Sequence, residues 1–185
     1  MRWSVFAIAA FIVIVLQLSV REALTLHSIG SISPDLVACV ATFIALFASR
    51  SSALWACWML GLIMDLAPSA GAVEWHLIGP NALGYTFGGY LVLQLRTMVF
   101  RRRAITTGFL TFAFLLGIAV VATFLLTIRS WYLPDTPLYH SPLGEFWQRF
   151  KIALYSGVVA IPFGWLLQLT IAMWGFTGGA SRRGW

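Results

Sequence analysis

ITTGFLTFAFLLGIAVVATFLLTI, Ile105 to Ile128, is the stretch whose reading decides the fold. No ionisable side chain interrupts it. A bilayer core about 30 Å thick takes roughly 20 apolar residues as a helix, so this run is long enough to cross one. The rest of the chain agrees: of 185 residues 60% are hydrophobic and only 10% charged, with a mean hydropathy of +0.87. A soluble surface needs far more charge, so lipid is the expected solvent for most of the chain.

Working outward, five further runs appear. Toward the C-terminus Ile152 to Trp174 forms one, with bends expected at Gly157, Pro162 and Gly164. Toward the N-terminus lies Ile78 to Leu95, with Gly79-Pro80 at its mouth. Before it comes Ala53 to Leu66, short enough to need local thinning or burial against neighbours. Another opens at Pro34-Asp35 and stops before Arg50; Pro34 suits a first helical turn, and Asp35 equally suits a cap. The first is Ser4 to Val20, read as an uncleaved span because no convincing small-x-small cleavage site precedes Arg21-Glu22. The expectation is one transmembrane domain over residues 1–185, an all-α integral membrane bundle of six helices at about 4–20, 35–49, 53–66, 78–95, 105–128 and 152–174.

Charge orients the bundle. With the N-terminus inside, the cytoplasmic side carries Arg2, Arg50, Arg96, Arg101, Arg102, Arg103, Arg182 and Arg183, against Arg21, Arg129, Arg149 and Lys151 outside. The Arg101–Arg103 cluster lies in a short loop, where the positive-inside rule is strongest, so both termini face the cytoplasm. The net charge of +6 thus reads as a topology signal, and nucleic-acid binding is excluded for want of a basic, aromatic-studded aqueous face. Trp3, Trp131, Trp147 and Trp174 fit an interfacial aromatic belt, and the longest outer loop is Arg129 to Gln148.

Candidate chemistry is sparse. Asp65 ends Gly61-Leu62-Ile63-Met64-Asp65-Leu66; an intramembrane carboxylate is a functional hypothesis by default. Its position favours a structural role, half in the headgroups and bonded to the following loop, over ion or proton transport. Gly61 and Asp65 share a helix face. Gly84 and Gly88, flanked by Asn81 and Tyr85, form a second small-residue stripe, expected to meet the third span with Asp65 near Asn81. Gln17, Gln94 and Gln168 are placed to hydrogen-bond between helices. Cys39 and Cys57 read as buried hydrophobes, and His27, His76 and His140 are isolated. Glu74-Trp75-His76, Asp135 and Glu145 lie in outer loops with no nucleophile set around them. No enzyme, metal or cofactor is expected.

Pro34-Asp35-Leu36 opening the second span, Gly61 to Leu66 closing the third, then Asn81-Ala82-Leu83-Gly84-Tyr85 and Gly88-Gly89-Tyr90-Leu91 before an Arg-rich loop together resemble the bacterial rod shape-determining MreD family. The resemblance is sharpest from Pro34 to Arg103 and departs from the family pattern at Glu74-Trp75-His76, at Gly79-Pro80-Asn81 and in the loop around Pro134 to Pro142. It implies a non-enzymatic scaffold of the cell-elongation machinery in the bacterial inner membrane. The implied partners are an MreC-like scaffold, RodA and penicillin-binding protein 2 type synthases, and MreB filaments. It also implies a fold similar to the substrate-binding subunits of energy-coupling-factor transporters, which supplies the alternative function: a vitamin-binding subunit of a transporter. The Arg96 and Arg101–Arg103 loop is expected to meet anionic lipid headgroups.

Overall fold

The computed structural model describes residues 2–20, 23–25, 32–67, 79–98, 104–132 and 142–176. Those residues form helices α1 (Trp3–Val20), α2 (Leu36–Phe47), α3 (Arg50–Leu66), α4 (Pro80–Leu95), α5 (Ala104–Tyr132), α6 (Pro142–Leu169) and α7 (Ile171–Trp174), with no strand among them.

The bundle is organised around its shortest long-axis element. α2 has 12 residues, about 18 Å at 1.5 Å per residue, and all but Phe47 are buried. A helix apolar all round has to face either lipid or other protein, and burial shows that α2 faces protein. α2 accordingly touches α1, α3, α4, α5 and α6. Phe43, Ile44 and Leu46 meet Leu60, Leu110 and Phe114 in the core formed around it.

Around this axis α3 packs on α4, α4 on α5 and α5 on α6. The approach is close where side chains are missing. A Cβ on Gly108 would stand 2.6 Å from the Gly157 carbonyl oxygen, so α5 and α6 cross backbone to backbone. α1 buries Phe6, Ala10 and Val13 along one stripe and leaves Ile8, Phe11 and Ile12 outward, the pattern of a helix with protein on one side and lipid on the other.

Among the described residues, two helices are long and apolar enough to cross a bilayer by themselves, Ile105–Leu125 within α5 and Phe146–Leu169 within α6. α5 runs beyond the range expected from the sequence, while α6 starts earlier than expected and stops at Leu169, short of Trp174. α6 begins at Pro142, whose missing N–H and fixed φ suit a first turn, so Arg149 and Lys151 stand on a helix and not in a loop. α5 continues to Tyr132. Of the expected outer loop, only residues 133–141 lie outside these helices, and they are also outside the described residues.

α7 follows a break at Thr170 and ends on Gly175 in the left-handed region (φ 57°). Trp174, expected in the interfacial belt, is instead buried against Phe43 and Phe176, and its carbonyl accepts the Arg2 N–H at 3.0 Å. Trp3 and Trp147 do remain exposed.

Candidate functional site

A helix leaves four N–H groups and four carbonyls unpaired at its ends, and in a membrane these must be satisfied from within the protein. α2, α3 and α4, at 12, 17 and 16 residues, are short, so their ends present this problem most acutely. At both ends of α2 and at the start of α4, side chains from other helices help solve it.

At the head of α2, Asp35 is the cap and Pro34 lies outside the helix. Asp35 Oδ1 accepts the Ala38 N–H (2.9 Å), and Oδ2 accepts the Tyr85 hydroxyl (2.9 Å). The Asp35 N–H donates to Ser156 Oγ at 2.9 Å. Gln17 brackets the same turn: Nε2 donates to the Pro34 carbonyl (3.0 Å) and Oε1 accepts the Leu36 N–H (2.7 Å). One tripeptide is thereby tied to α1, α4 and α6. At the other end, Arg96 Nη1 donates to the carbonyls of Ala45 (3.0 Å) and Ala48 (2.8 Å). A carboxylate at the N-terminus and a guanidinium at the C-terminus both oppose the helix dipole.

Asp65 does the same for α4. It is 6% exposed, buried within the protein. Its Oδ2 accepts the N–H groups of Gly79 (2.9 Å) and Ala82 (3.0 Å), and Oδ1 that of Asn81 (3.1 Å). The positive end of a helix holds a carboxylate strongly where little water competes. Gly61, one turn earlier on α3, makes the approach possible: a Cβ there would lie 2.6 Å from the Asn81 carbonyl oxygen.

The second glycine stripe has a different partner from the expected one. A Cβ on Gly88 would stand 2.8 Å from the Phe114 carbonyl oxygen, and one on Gly84 3.1 Å from Ile118, so the stripe lies on α5. α3 is met instead by Gly89, against the Cys57 sulfur, and by the α4 backbone at Asn81 and Ala82. Glycines at 84, 88 and 89 let α4 approach a helix on each of two sides.

Between these capped ends lies a cavity of about 160 Å³ lined by Asp35, Met64, Asn81, Tyr85, Arg149 and Ile152 with Leu115, Ile118 and Ala119. Of these, Tyr85, Leu115, Ile118 and Ala119 are buried, and Asp35, Met64, Asn81, Arg149 and Ile152 are half-buried.

Ser156 and the capping role of Arg96 were not legible in the sequence, because a lone serine or arginine carries no sign of which remote helix end it reaches. Gln94 bonds within its own helix, to the Tyr90 hydroxyl at 2.8 Å. Gln168 Nε2 is buried with no hydrogen-bond partner among the described residues. Arg101–Arg103, Glu74, His76, His27, Asp135 and His140 lie outside the described residues, as does the Glu145 side chain. Among the described residues no three His, Cys, Asp or Glu side chains gather as metal ligands.

The family model for rod shape-determining protein MreD matches residues 1–169. The chain belongs to the MreD family. Membership carries a role in rod-shape determination and makes the protein a membrane protein. Neither a curated protein nor a solved structure matches the chain. Three of the four stretches that carry the MreD resemblance meet in space: Pro34 to Leu36 is the α2 cap, Gly61 to Leu66 holds the α4 cap, and Asn81 to Tyr85 supplies partners of both.

Proposed function

We propose that this MreD-family chain is a non-enzymatic scaffold subunit of the bacterial cell-elongation machinery, which builds lateral peptidoglycan. It sits in the inner membrane as a single multi-pass domain of six spans, both termini cytoplasmic, similar in architecture to the energy-coupling-factor substrate-binding subunits. Its partners are an MreC-like scaffold, RodA and penicillin-binding protein 2 type synthases, and MreB filaments.

The observation that carries this is the MreD match over residues 1–169. The geometry supports it in a particular way. Gln17, Asp65, Tyr85, Arg96 and Ser156 serve the ends of other helices, which ties α1, α4 and α6 to the ends of α2, and α3 to the start of α4, and spends those groups on rigidity. Outward go Trp55, Met59, Leu83 and Phe87, an apolar face suited to lipid or to another membrane helix. Partners then meet helix faces, outer loops or the basic segment around Arg101–Arg103, where anionic headgroups contribute about 1 kcal/mol per charge.

The test is a tagged pull-down from mild detergent in the native host, with mass spectrometry of co-purifying proteins and small molecules. Recovery of the MreC scaffold with the elongation synthases is expected. Recovery of an ATPase pair or a stoichiometric vitamin, without wall-synthesis proteins, would replace the scaffold with the transporter-subunit alternative.

A further inference from the structure

We propose that the groove between α3 and α4 at the Arg50 end binds an anionic phospholipid, its phosphate on the Arg50 guanidinium and one acyl chain along Trp55 and Trp58.

The groove holds about 370 Å³ and is lined by Ser51, Leu54, Trp55 and Trp58 from α3 and by Thr86 from α4. The four α3 residues recur at i, i+3, i+4 and i+7, so they form one stripe about 11 Å long. α3 packs on α2 and α4, which leaves this stripe facing outward. Trp55 and Trp58 stand edge to face with ring centroids 5.7 Å apart, and both are exposed. The Thr86 hydroxyl is spent on its own helix, donating to the Ala82 carbonyl at 2.7 Å. Beyond Ser51 the lining is therefore apolar apart from the two indole N–H groups, a surface that suits an acyl chain.

Charge at the head of the groove selects the occupant. Arg50 precedes Ser51, and its guanidinium lies over the Tyr90 ring, 5.7 Å from the centroid, so it bridges α3 and α4 at that end. A ring face attracts the charge but leaves the five N–H donors in need of acceptors. No acid among the described residues supplies them. Asp35 and Asp65, the two acids whose side chains are described, are spent on the starts of α2 and α4, and Asp65 is about 22 Å further along α3. The first turn of α3 carries no acid and Ser49 makes no side-chain cap, so the helix dipole adds positive potential beside Arg50. An anion at the head of an apolar groove answers both features, and an anionic phospholipid joins the two in one molecule. An ethanolamine or choline headgroup would bring an ammonium with no carboxylate to meet it, whereas phosphatidylglycerol brings the negative charge alone. A partner helix would need an acidic residue at the same depth to do as much. The proposal stands apart from the choice of protein partners.

Purified, delipidated full-length protein is incubated with an equimolar mixture of phosphatidylglycerol, phosphatidylethanolamine and phosphatidylcholine, and retained lipid is counted by native mass spectrometry. One phosphatidylglycerol per chain, in preference to the other two, is expected. Arg50→Gln removes the charge-assisted contact and should weaken that retention about tenfold or more. Trp55→Ala removes a wall of the groove with Arg50 in place and should weaken it several-fold. Both residues are exposed, so neither change opens the core. Arg103→Gln makes the same change in net charge elsewhere in the chain and should leave retention as in wild type. Equal retention of the three lipids, wild-type retention by Arg50→Gln, or an equal loss with Arg103→Gln overturns the proposal. A photo-crosslinking amino acid in place of Trp58, activated in native membranes, should be recovered on phospholipid. Recovery on a membrane protein instead assigns the groove to a partner helix and overturns it as well.

Discussion

Replacing Asp65 by alanine removes the acceptor of three backbone N–H groups at once, those of Gly79, Asn81 and Ala82. A lost N-cap costs ~1 kcal/mol in typical cases, and each buried donor left unpaired costs ~1–3 kcal/mol. Gly79 is half-buried and can recover a water; Ala82 is buried and cannot. Counting the cap and one to two orphaned donors gives a loss of about 2–7 kcal/mol, a large share of the ~5–15 kcal/mol that holds an ordinary domain together. Asp65→Asn keeps an acceptor oxygen but loses the charge facing the α4 dipole, for about 1–2 kcal/mol. The expected order of melting temperature in mild detergent, followed by size-exclusion of heated samples, is wild type, then Asn, then Ala. The same order should appear in the yield of folded protein. An alanine variant melting within a degree of wild type would refute the capping argument, because Asp65 is the acceptor on which all three donors rest. An asparagine variant as unstable as alanine would instead show that charge, and not hydrogen-bond number, is what α4 requires.

Gly88→Leu places a side chain where a Cβ already lies 2.8 Å from the Phe114 carbonyl oxygen, so α4 and α5 must separate; a sharp drop in folded, monodisperse protein is expected, and normal expression with unchanged melting would count against it. Arg96→Gln shortens the reach to the Ala45 and Ala48 carbonyls and removes the charge at the end of α2; a loss of about 1–3 kcal/mol, read by melting, is expected while Arg96→Lys retains part of it. Gln17→Leu leaves the Pro34 carbonyl and Leu36 N–H without their present partner; hydrogen exchange at the head of α2 should accelerate, whereas exchange at its Arg96 end should stay as in wild type.

Much of the helical layout was visible in the chain itself. The apolar run of α5 and the glycine punctuation of α4 mark helices whatever surrounds them, because period and length are local properties. Family membership was visible for a related reason: the short polar interruptions at Asp35, Asp65 and Asn81 stand out against an apolar background. The early start of α6 was hidden. Its first ten residues, Pro142 to Lys151, carry charge and proline, which in sequence look like loop, and only packing on α5 shows them helical. Trp174 was misplaced because a tryptophan at a helix end suits both an interface and a core, and the choice depends on whether Phe43 and Phe176 are there to meet it.

By itself, then, the sequence determined that helices form, roughly where, which of their faces are small or polar, and to which family the chain belongs. Tertiary structure alone decided who meets whom. A small-residue stripe offers close approach to any helix, so the sequence could not say that Gly84 and Gly88 face α5 while Gly61 faces α4. A buried carboxylate requires donors from somewhere, and only the fold brings it the start of α4. The physical reason is the same in each case: contact specificity is a property of pairs of surfaces, and a single chain read in order shows one member of each pair at a time.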